Sequence, residues 1–518
     1  MLVMKRNSVT VKVREFLMRR NQCSFIRLLI YLNILLFCLS CEEKIRIWDN
    51  PHDSLSDKTE WAPEGLNIEQ LSVGQIQLSW EDMAKGEDGY RIDRKKQGKS
   101  WVTEFALLPE NTTEWIDSTD VEMAMYWYKV YCYAGENITD PIEGSVQATG
   151  HIFSVTFGSH NSDQGYSVQQ TTDGGYVITG FSEFSGVYDG PDVFLIKTDS
   201  NGSEEWNRKI DDNSGRGYSV QQTTDGGYII TGSAGVFGNH LDVSLYKTDF
   251  VGNEQWRRTF GAFNSPNDDI GNSVQQTTDG GYIVTGGTSS LGNGSWDVWL
   301  IKTDSNGDSL WTQTFGGDKM EFGLFVQETT DGGYIISGYK QLSVVSDLNI
   351  WLIKTDSNGN EEWNQTFGGD SGENGVSVQE TTDGGYIIAG WTYSTQNGNG
   401  EVLLIKTDSN GNEEWNQTFG GSGDDAGYSV QQTTDGGYII TGRTTSYGGG
   451  GNDVWLIKTD SNGNEEWNQT FGGSGDDRGR SVQQTADGGY VITGWTNSYG
   501  HMVYNDIWLI KTDSMGNK

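Results

Sequence analysis

Cysteine, proline, histidine and basic residues are scarce in this chain. Its 518 residues include four cysteines, six prolines and five histidines. No cysteine follows Cys132, so everything from residue 150 onward lacks cysteine ligands and disulfides. The histidines of that long segment, His151, His160, His240 and His501, are never paired at metal-ligand spacing. No serine there sits in a nucleophile-elbow setting. Lysine plus arginine total 35 against 71 acidic residues, a formal net charge of -36. Such a chain repels phosphate backbones and anionic headgroups, which excludes nucleic acid as a main partner. Cations, basic proteins and neutral glycans stay open. Acidity also serves plain solubility.

Glycine is abundant, at 71 residues. With many Thr, Tyr, Trp, Asp and Asn it suits short strands joined by tight turns. The dominant signal is a repeat. "DGGY" or a close variant begins at Asp173, Asp225, Asp279, Asp331, Asp383, Asp435 and Asp487, mostly 52 residues apart. "WLIKTDSNG" keeps the same beat. In the sixth unit four strands are predicted: Tyr428 to Thr433, Gly437 to Thr444, Asp453 to Thr459 and Glu465 to Phe471. Asp-Gly-Gly and Asp-Ser-Asn-Gly supply the hairpin turns. Four antiparallel strands per unit, with no helical period, is one propeller blade.

The seventh unit reaches Lys518 without a fourth strand, and the repeat region opens with "IFSVTFG", a fourth-strand pattern. The expectation is an all-β chain whose residues 150–518 form a seven-bladed β-propeller. Residues 152–158 would complete the last blade and remove the open edge. The repeated phrase is then scaffold, with Tyr and Ile-Ile between blades and the fourth-strand tryptophans Trp206, Trp256, Trp311, Trp363, Trp415 and Trp467 toward the outside.

Departures from repetition fall in the loops between blades and those between second and third strands, which share one face of such a disc. Aromatic candidates there are Phe181, Tyr188, Trp296, Tyr339, Trp391, Tyr393, Tyr447, Trp495 and Tyr499. Asp211, Asp212, Asp268, Asp269, Asp424, Asp425, Asp476 and Asp477 add negative charge. Aromatics with carboxylates and amides suit a glycan or a basic peptide, while plain loop drift would produce the same polarity. Paired carboxylates on this face also leave a lyase or glycosidase open as the alternative function, with no catalytic pair named. "DSNGNEE" (Asp460 to Glu466) competes as a calcium loop, but Gly463 stands fourth, not sixth. No cofactor is expected otherwise. Asn364, Asn416 and Asn468 in Asn-x-Ser/Thr are by-products of the repeat.

Four resemblances bear on this reading. Residues 1–41 carry a basic stretch, the apolar run "LLIYLNILLFCLSC" and a small residue before Cys41. This resembles a bacterial lipoprotein signal, which implies lipidation of Cys41 and a protein exported to the cell envelope, at the outer membrane or cell surface. Cys38 stands where that motif has Leu, Met18 is a second candidate start, and an uncleaved signal anchor is the alternative. With Cys41 lipidated, Cys132 has no partner for an intrachain disulfide. Residues 42–60 read as a tether. Residues 61–149 alternate as short strands, with Pro63, Trp80 and Tyr126-x-Tyr128-x-Val130. They resemble a fibronectin type III domain, which implies a β-sandwich spacer or binding module, with Tyr126 as its corner tyrosine. The repeats resemble the DGGY/WLIKTDSNG propeller repeats of secreted bacterial and archaeal proteins. A fainter similarity is to quinoprotein blades, which Asp460, Gly463 and Trp467 echo one residue short. That family's quinone and calcium pocket has no counterpart here. The combined expectation is a monomeric, membrane-anchored binding scaffold for a glycan or protein.

Overall fold

The computed structural model describes residues 62–518, apart from 73–74, 84–86, 120–124, 148–151, 160, 184–189, 212–214, 237–239, 263–264, 266, 343–347, 370–371, 394–397 and 502–503. Cys41, the tether, Tyr188 and Asp212 lie outside the described residues. Every regular element described is a strand. The chain divides into two compact units, at Ala148 and Thr149.

In the first unit, β1 (Glu64–Ser72), β2 (Gln75–Glu81) and β5 (Glu114–Asp117) form a three-stranded sheet. A second sheet joins β4 (Val102–Pro109), β3 (Gly89–Lys96), β6 (Met125–Ala134) and β7 (Asn137–Ile138), with β8 (Ile142–Gln147) also on β6. Strand β6 alternates strictly, so Tyr126, Tyr128, Val130, Cys132 and Ala134 meet Ile76, Leu78, Trp80, Tyr90 and Ile92 between the sheets. Trp80 and Tyr90 lie 5.4 Å apart, ring to ring. The Tyr128 hydroxyl donates to Asp117 at 2.6 Å, and Arg94 Nη1 pairs with the same carboxylate oxygen at 2.9 Å. The buried Asp117 is thereby neutralised, as a carboxylate without water must be. Cys132 is a free, buried thiol, and burial pushes its pKa up.

The second unit is a propeller-like all-β repeat built from seven four-stranded antiparallel sheets. Sheet 6 is typical: Asp425–Gln432, Tyr438–Thr444, Asp453–Thr459 and Glu465–Phe471. Sheet 7 consists of Asp477–Gln484, Tyr490–Thr496, Asp506–Thr512 and β9 (Phe153–Phe157), which pairs Trp508 with Thr156 and Lys511 with Phe153.

Successive sheets pack face to face. One cluster joins Leu300 and Phe315 of sheet 3 to Tyr334, Ile336 and Trp351 of sheet 4. Another joins Ile507 and Leu509 of sheet 7 to Tyr176, Ile178 and Phe194 of sheet 1. Each second-strand tyrosine meets the fourth-strand aromatic of the preceding sheet, from Trp206–Tyr228 to Trp467–Tyr490. Phe153–Tyr176 is the seventh such pair. Centroids are 5.7–5.9 Å apart, the spacing at which edge and face attract. The turn glycine must both adopt positive φ and clear the same tryptophan. At Gly359 (φ +79°) a Cβ would fall 2.6 Å from the Trp311 ring.

Hydrogen bonds also pass from sheet to sheet. The innermost strands have no strand neighbour on one side, leaving backbone N–H groups that need partners. Side chains supply them. Gln169, Gln221, Gln275, Gln327, Gln379, Gln431 and Gln483 each accept, at 2.5–2.8 Å, from a backbone N–H of the next innermost strand. The last of these runs from sheet 1 back to sheet 7, as Gln170 N donates to Gln483. A second series runs in the opposite sense, from Thr172 N to Gln222 through to Ala486 N to Gln170. The "SVQQ" phrase is therefore a stitching device, a role its strand pattern alone conceals.

Candidate functional site

Two ends of the seven-sheet unit can be told apart by which loops they carry. At one, the Asp-Gly-Gly and Asp-Ser-Asn-Gly turns repeat, and their carboxylates are consumed locally. Asp331 Oδ1 accepts from Thr329 Oγ1 at 2.6 Å and Gly333 N at 2.9 Å, while Oδ2 meets Lys354 Nζ at 2.9 Å. Lys354 is buried and also donates to its neighbour's carbonyl and to Glu362. Burial raises the Asp331 pKa, and these partners outweigh it, leaving the group at about 2. All seven units repeat the lysine–aspartate pair at 2.8–2.9 Å. In the candidate calcium loop, Asp460 accepts from Asn462 N, Asn464 N and Asn464 Nδ2, so its carboxylate closes its own turn.

At the other end the innermost strands bulge. In every sheet the pairing skips one residue just before the Ser-Val-Gln stretch, as between Gly165 and Ser167 or Gly479 and Ser481. The skipped residues are Tyr166, Tyr218, Asn272, Leu324, Val376, Tyr428 and Arg480. A bulge re-aims one side chain out of the ladder. The residues that follow, Ser-Val-Gln or Phe-Val-Gln, come from all seven innermost strands to line one cavity of about 230 Å³. The bulge residues thus stand one step from that cavity, toward the variable loops.

Four of them form a continuous chain of contacts. The Arg480 guanidinium lies 4.5 Å from the Tyr428 ring centroid and 5.4 Å from that of Tyr166, whose ring meets Tyr218 edge-on at 5.3 Å. Arg443 Nε donates to the Tyr428 hydroxyl at 2.9 Å, and Arg478 covers Trp495 at 5.1 Å. Trp391 meets Tyr428 edge-on at 5.7 Å, and Arg216 covers Phe181 at 4.5 Å. An arginine–aromatic cluster therefore occupies one side of the mouth. Asn272, Leu324 and Val376 occupy the other.

Of the candidates named from sequence, Phe181, Trp391 and Trp495 join this cluster. Trp296 and Tyr339 instead flank Phe322, at 5.1 and 5.7 Å, as a separate aromatic group. Tyr447 and Tyr499 pack on Trp455 and Trp508 and donate to the carbonyls of Gly420 and Gly472, yet stay 46% and 40% exposed. Tyr393 is 39% exposed.

The acidic candidates turn inward. Asp269, Asp425 and Asp477 are buried and accept from Ser290, Ser446 and Ser498, which pins each second-to-third-strand loop. Asp268, Asp424 and Asp476 accept backbone N–H groups of Leu241, Gly400 and Asn452. Beside them the third-strand acids feel like charge. Burial, and then Glu321, push Asp297 up to about 6. Burial and Asp477 raise Asp453 in the same way. Among the described residues, no group of three His, Cys, Asp or Glu side chains is placed to hold a metal ion.

The bulge residues and the arginines were missed from sequence. Their signal was available: between an invariant-looking Gly and Ser-Val-Gln, one position reads Tyr, Tyr, Asn, Leu, Val, Tyr, Arg along the seven units.

No protein-family profile matches the chain, and no curated protein does. Among solved structures, it is similar to a protein of unknown function from Dyadobacter fermentans, at 9% identity over 69% of this chain and 97% of that one, with a TM-score of 0.39. A puromycin hydrolase variant gives 10% identity over 68% and 52%, with a TM-score of 0.44. A glucose dehydrogenase gives 8% over 70% and 100%, with a TM-score of 0.36. Likeness at this level says nothing of activity.

Proposed function

We propose that the chain is a lipid-anchored binding scaffold of the bacterial cell envelope. Cys41 carries the lipid, residues 61–149 are a fibronectin type III spacer, and residues 150–518 are a closed seven-bladed propeller. The propeller end that bears the bulges captures a glycan or protein ligand, without catalysis or a cofactor, and the molecule works as a monomer. Closure is supported by the pairing of β9 with the strand Asp506–Thr512 and by the bond from Gln170 N to Gln483. The spacer is supported by the two-sheet sandwich with Trp80 and the alternating β6 in its core.

The observation that carries the reading is the contrast between positions in one strand. Val-Gln and the glutamine bonds repeat in all seven strands around the cavity, with Ser before them in six, whereas the bulge residue beside them takes five identities in seven places. Scaffold positions are uniform, and a ligand that approaches one mouth needs a non-uniform surface.

The test is a glycan and polysaccharide array with the full chain, with and without calcium, scored for binding and for released product. The expected result is binding without turnover, independent of calcium and weakened by Trp391→Ala. Product release would replace this reading with a carbohydrate-active enzyme. Separately, Cys41→Ala should abolish palmitate incorporation and membrane fractionation; unchanged labelling would end the lipoprotein assignment.

A further inference from the structure

The chain has twice as many acidic as basic residues, yet several of its described arginines have no acid beside them among the described residues. Arg91, Arg94, Arg257 and Arg258 each pair with a carboxylate at about 2.9–3.0 Å. Among the described residues, Arg208, Arg216, Arg443, Arg478 and Arg480 make no such pair; Arg208 is half-buried on a fourth strand beside Trp206, and the other four stand at the bulged mouth. Their partners are rings and neutral atoms: Phe181, Trp495, Tyr166, Tyr428 and the Asn452 side chain. The Nε atoms of Arg478 and Arg480 are buried with no acceptor. Asp476, the nearest acid by its effect on Arg478, takes Asn452 N at 2.9 Å and Nδ2 at 2.8 Å on Oδ1 and makes no ion pair with that arginine. Burial, together with the charges of Arg443 and Arg480, makes the Arg478 cation harder to hold. Partly desolvated like charges with open donors are costly unless an anion completes them.

We propose that Arg443, Arg478 and Arg480 form a carboxylate clamp for an acidic sugar, so that the captured ligand is a uronate-bearing glycan. This rests on the binding-scaffold reading above. Three observations choose that ligand over other anions. Guanidinium groups bind planar carboxylates through two parallel N–H donors, a fork that the terminal nitrogens of each arginine can present. The net charge of -36 repels long polyanions, whereas a short uronate segment brings only a few charges against that repulsion. An acidic peptide bound as an added strand would need backbone donors on the innermost strands, and those beside the cavity already donate to neighbouring glutamines. Tyr166, Tyr218 and Trp391 surround the clamp with apolar ring surface of the kind that C–H faces of sugars pack on.

The test is calorimetric titration of the full chain, purified in detergent, with three probes: trigalacturonate, the same trimer as its methyl ester, and a hexaglutamate peptide. The expected result is binding of trigalacturonate, with a loss of roughly ten-fold or more for the ester and for the R478Q/R480Q variant. Thermal melting of that variant should stay level or rise, since repulsion is relieved, while Arg257→Gln should bind as the parent does. Equal binding of acid and ester would overturn the clamp and leave the scaffold reading standing. Tighter binding of hexaglutamate would replace the sugar with an acidic protein partner. Silence with all three probes, in a chain that binds a neutral glycan on the array, would also overturn the clamp; silence in both assays would overturn the clamp and restrict the scaffold reading to a protein ligand.

Discussion

The two ends of each repeat unit use the same residue type to opposite effect. At the turn end, an aspartate meets a lysine, a threonine and a backbone N–H, and its pKa falls to about 2 at Asp225, Asp279, Asp331 and Asp383. At the bulged end, an aspartate such as Asp297 is buried beside another acid and rises to about 6. The first arrangement stabilises the fold, and the second stores repulsion. The same division runs through the rest of the chemistry. Donors, acceptors and charges at the turn end are satisfied seven times over, whereas bulges, exposed tyrosines and four arginines with no acid partner among the described residues gather at the opposite end. A repeat closes its own valences; an incomplete set of valences marks the place where something else is expected to bind.

The comparison can be broken most severely in the scaffold between sheets. Tyr334→Ala removes a buried ring from its edge contact with Trp311 and should cost about 3–5 kcal/mol. A denaturation midpoint close to the parent's would mean that the sheets do not depend on these pairs.

The opposed aspartates give a sharper test through pH. A carboxylate with a depressed folded pKa adds stability that is present above its unfolded value and is lost as pH falls from about 4 through about 2. Asp331→Asn should therefore weaken the protein at pH 7 by about 1 kcal/mol, after discounting for its exposed position, and should have little effect near pH 2. Asp297 behaves in reverse. Its folded form holds a proton that the unfolded chain releases, so stability falls as pH rises from about 4 to about 6. Asp297→Asn should gain about 1–2 kcal/mol at pH 7 and nothing at pH 4. Parallel pH profiles for the two variants would erase the contrast between the ends.

Gln327→Ala leaves the Glu380 N–H without its acceptor and should cost about 1–2 kcal/mol, read as a shifted denaturant midpoint. The smallest effect belongs to the bulge itself. Leu324→Ser, partly exposed and outside the ladder, should change stability by less than about 0.5 kcal/mol.

Much of this architecture is legible in the sequence. The 52-residue beat gives the seven sheets, and the strands of sheet 6 fall within a few residues of those read from "YSVQQT" and "EEWNQTF". β9 pairs where the pattern "IFSVTFG" suggested. Alternation also identifies Tyr128, Val130 and Cys132 as core. What escaped is long-range pairing. Lys354 looks like a strand-end solvating residue until Asp331 is brought beside it, and Gln327 looks like a surface amide until it reaches the next sheet. The acids Asp425 and Asp477 read as exposed charge because nothing local reveals that Ser446 and Ser498 turn back onto them. The arginine–aromatic cluster draws on sheets 5, 6, 7, 1 and 2, so no single stretch of sequence contains it.

The central claim is that the bulged mouth, and not the turn end, meets the ligand. Hydroxyl-radical footprinting of the full chain, with and without trigalacturonate, tests it most directly. The account predicts protection at Tyr166, Tyr218 and Trp391, while the exposed Phe250 and Met515 in turns of the opposite end react unchanged. Protection of Phe250 or Met515, with the bulge tyrosines unaffected, would contradict it.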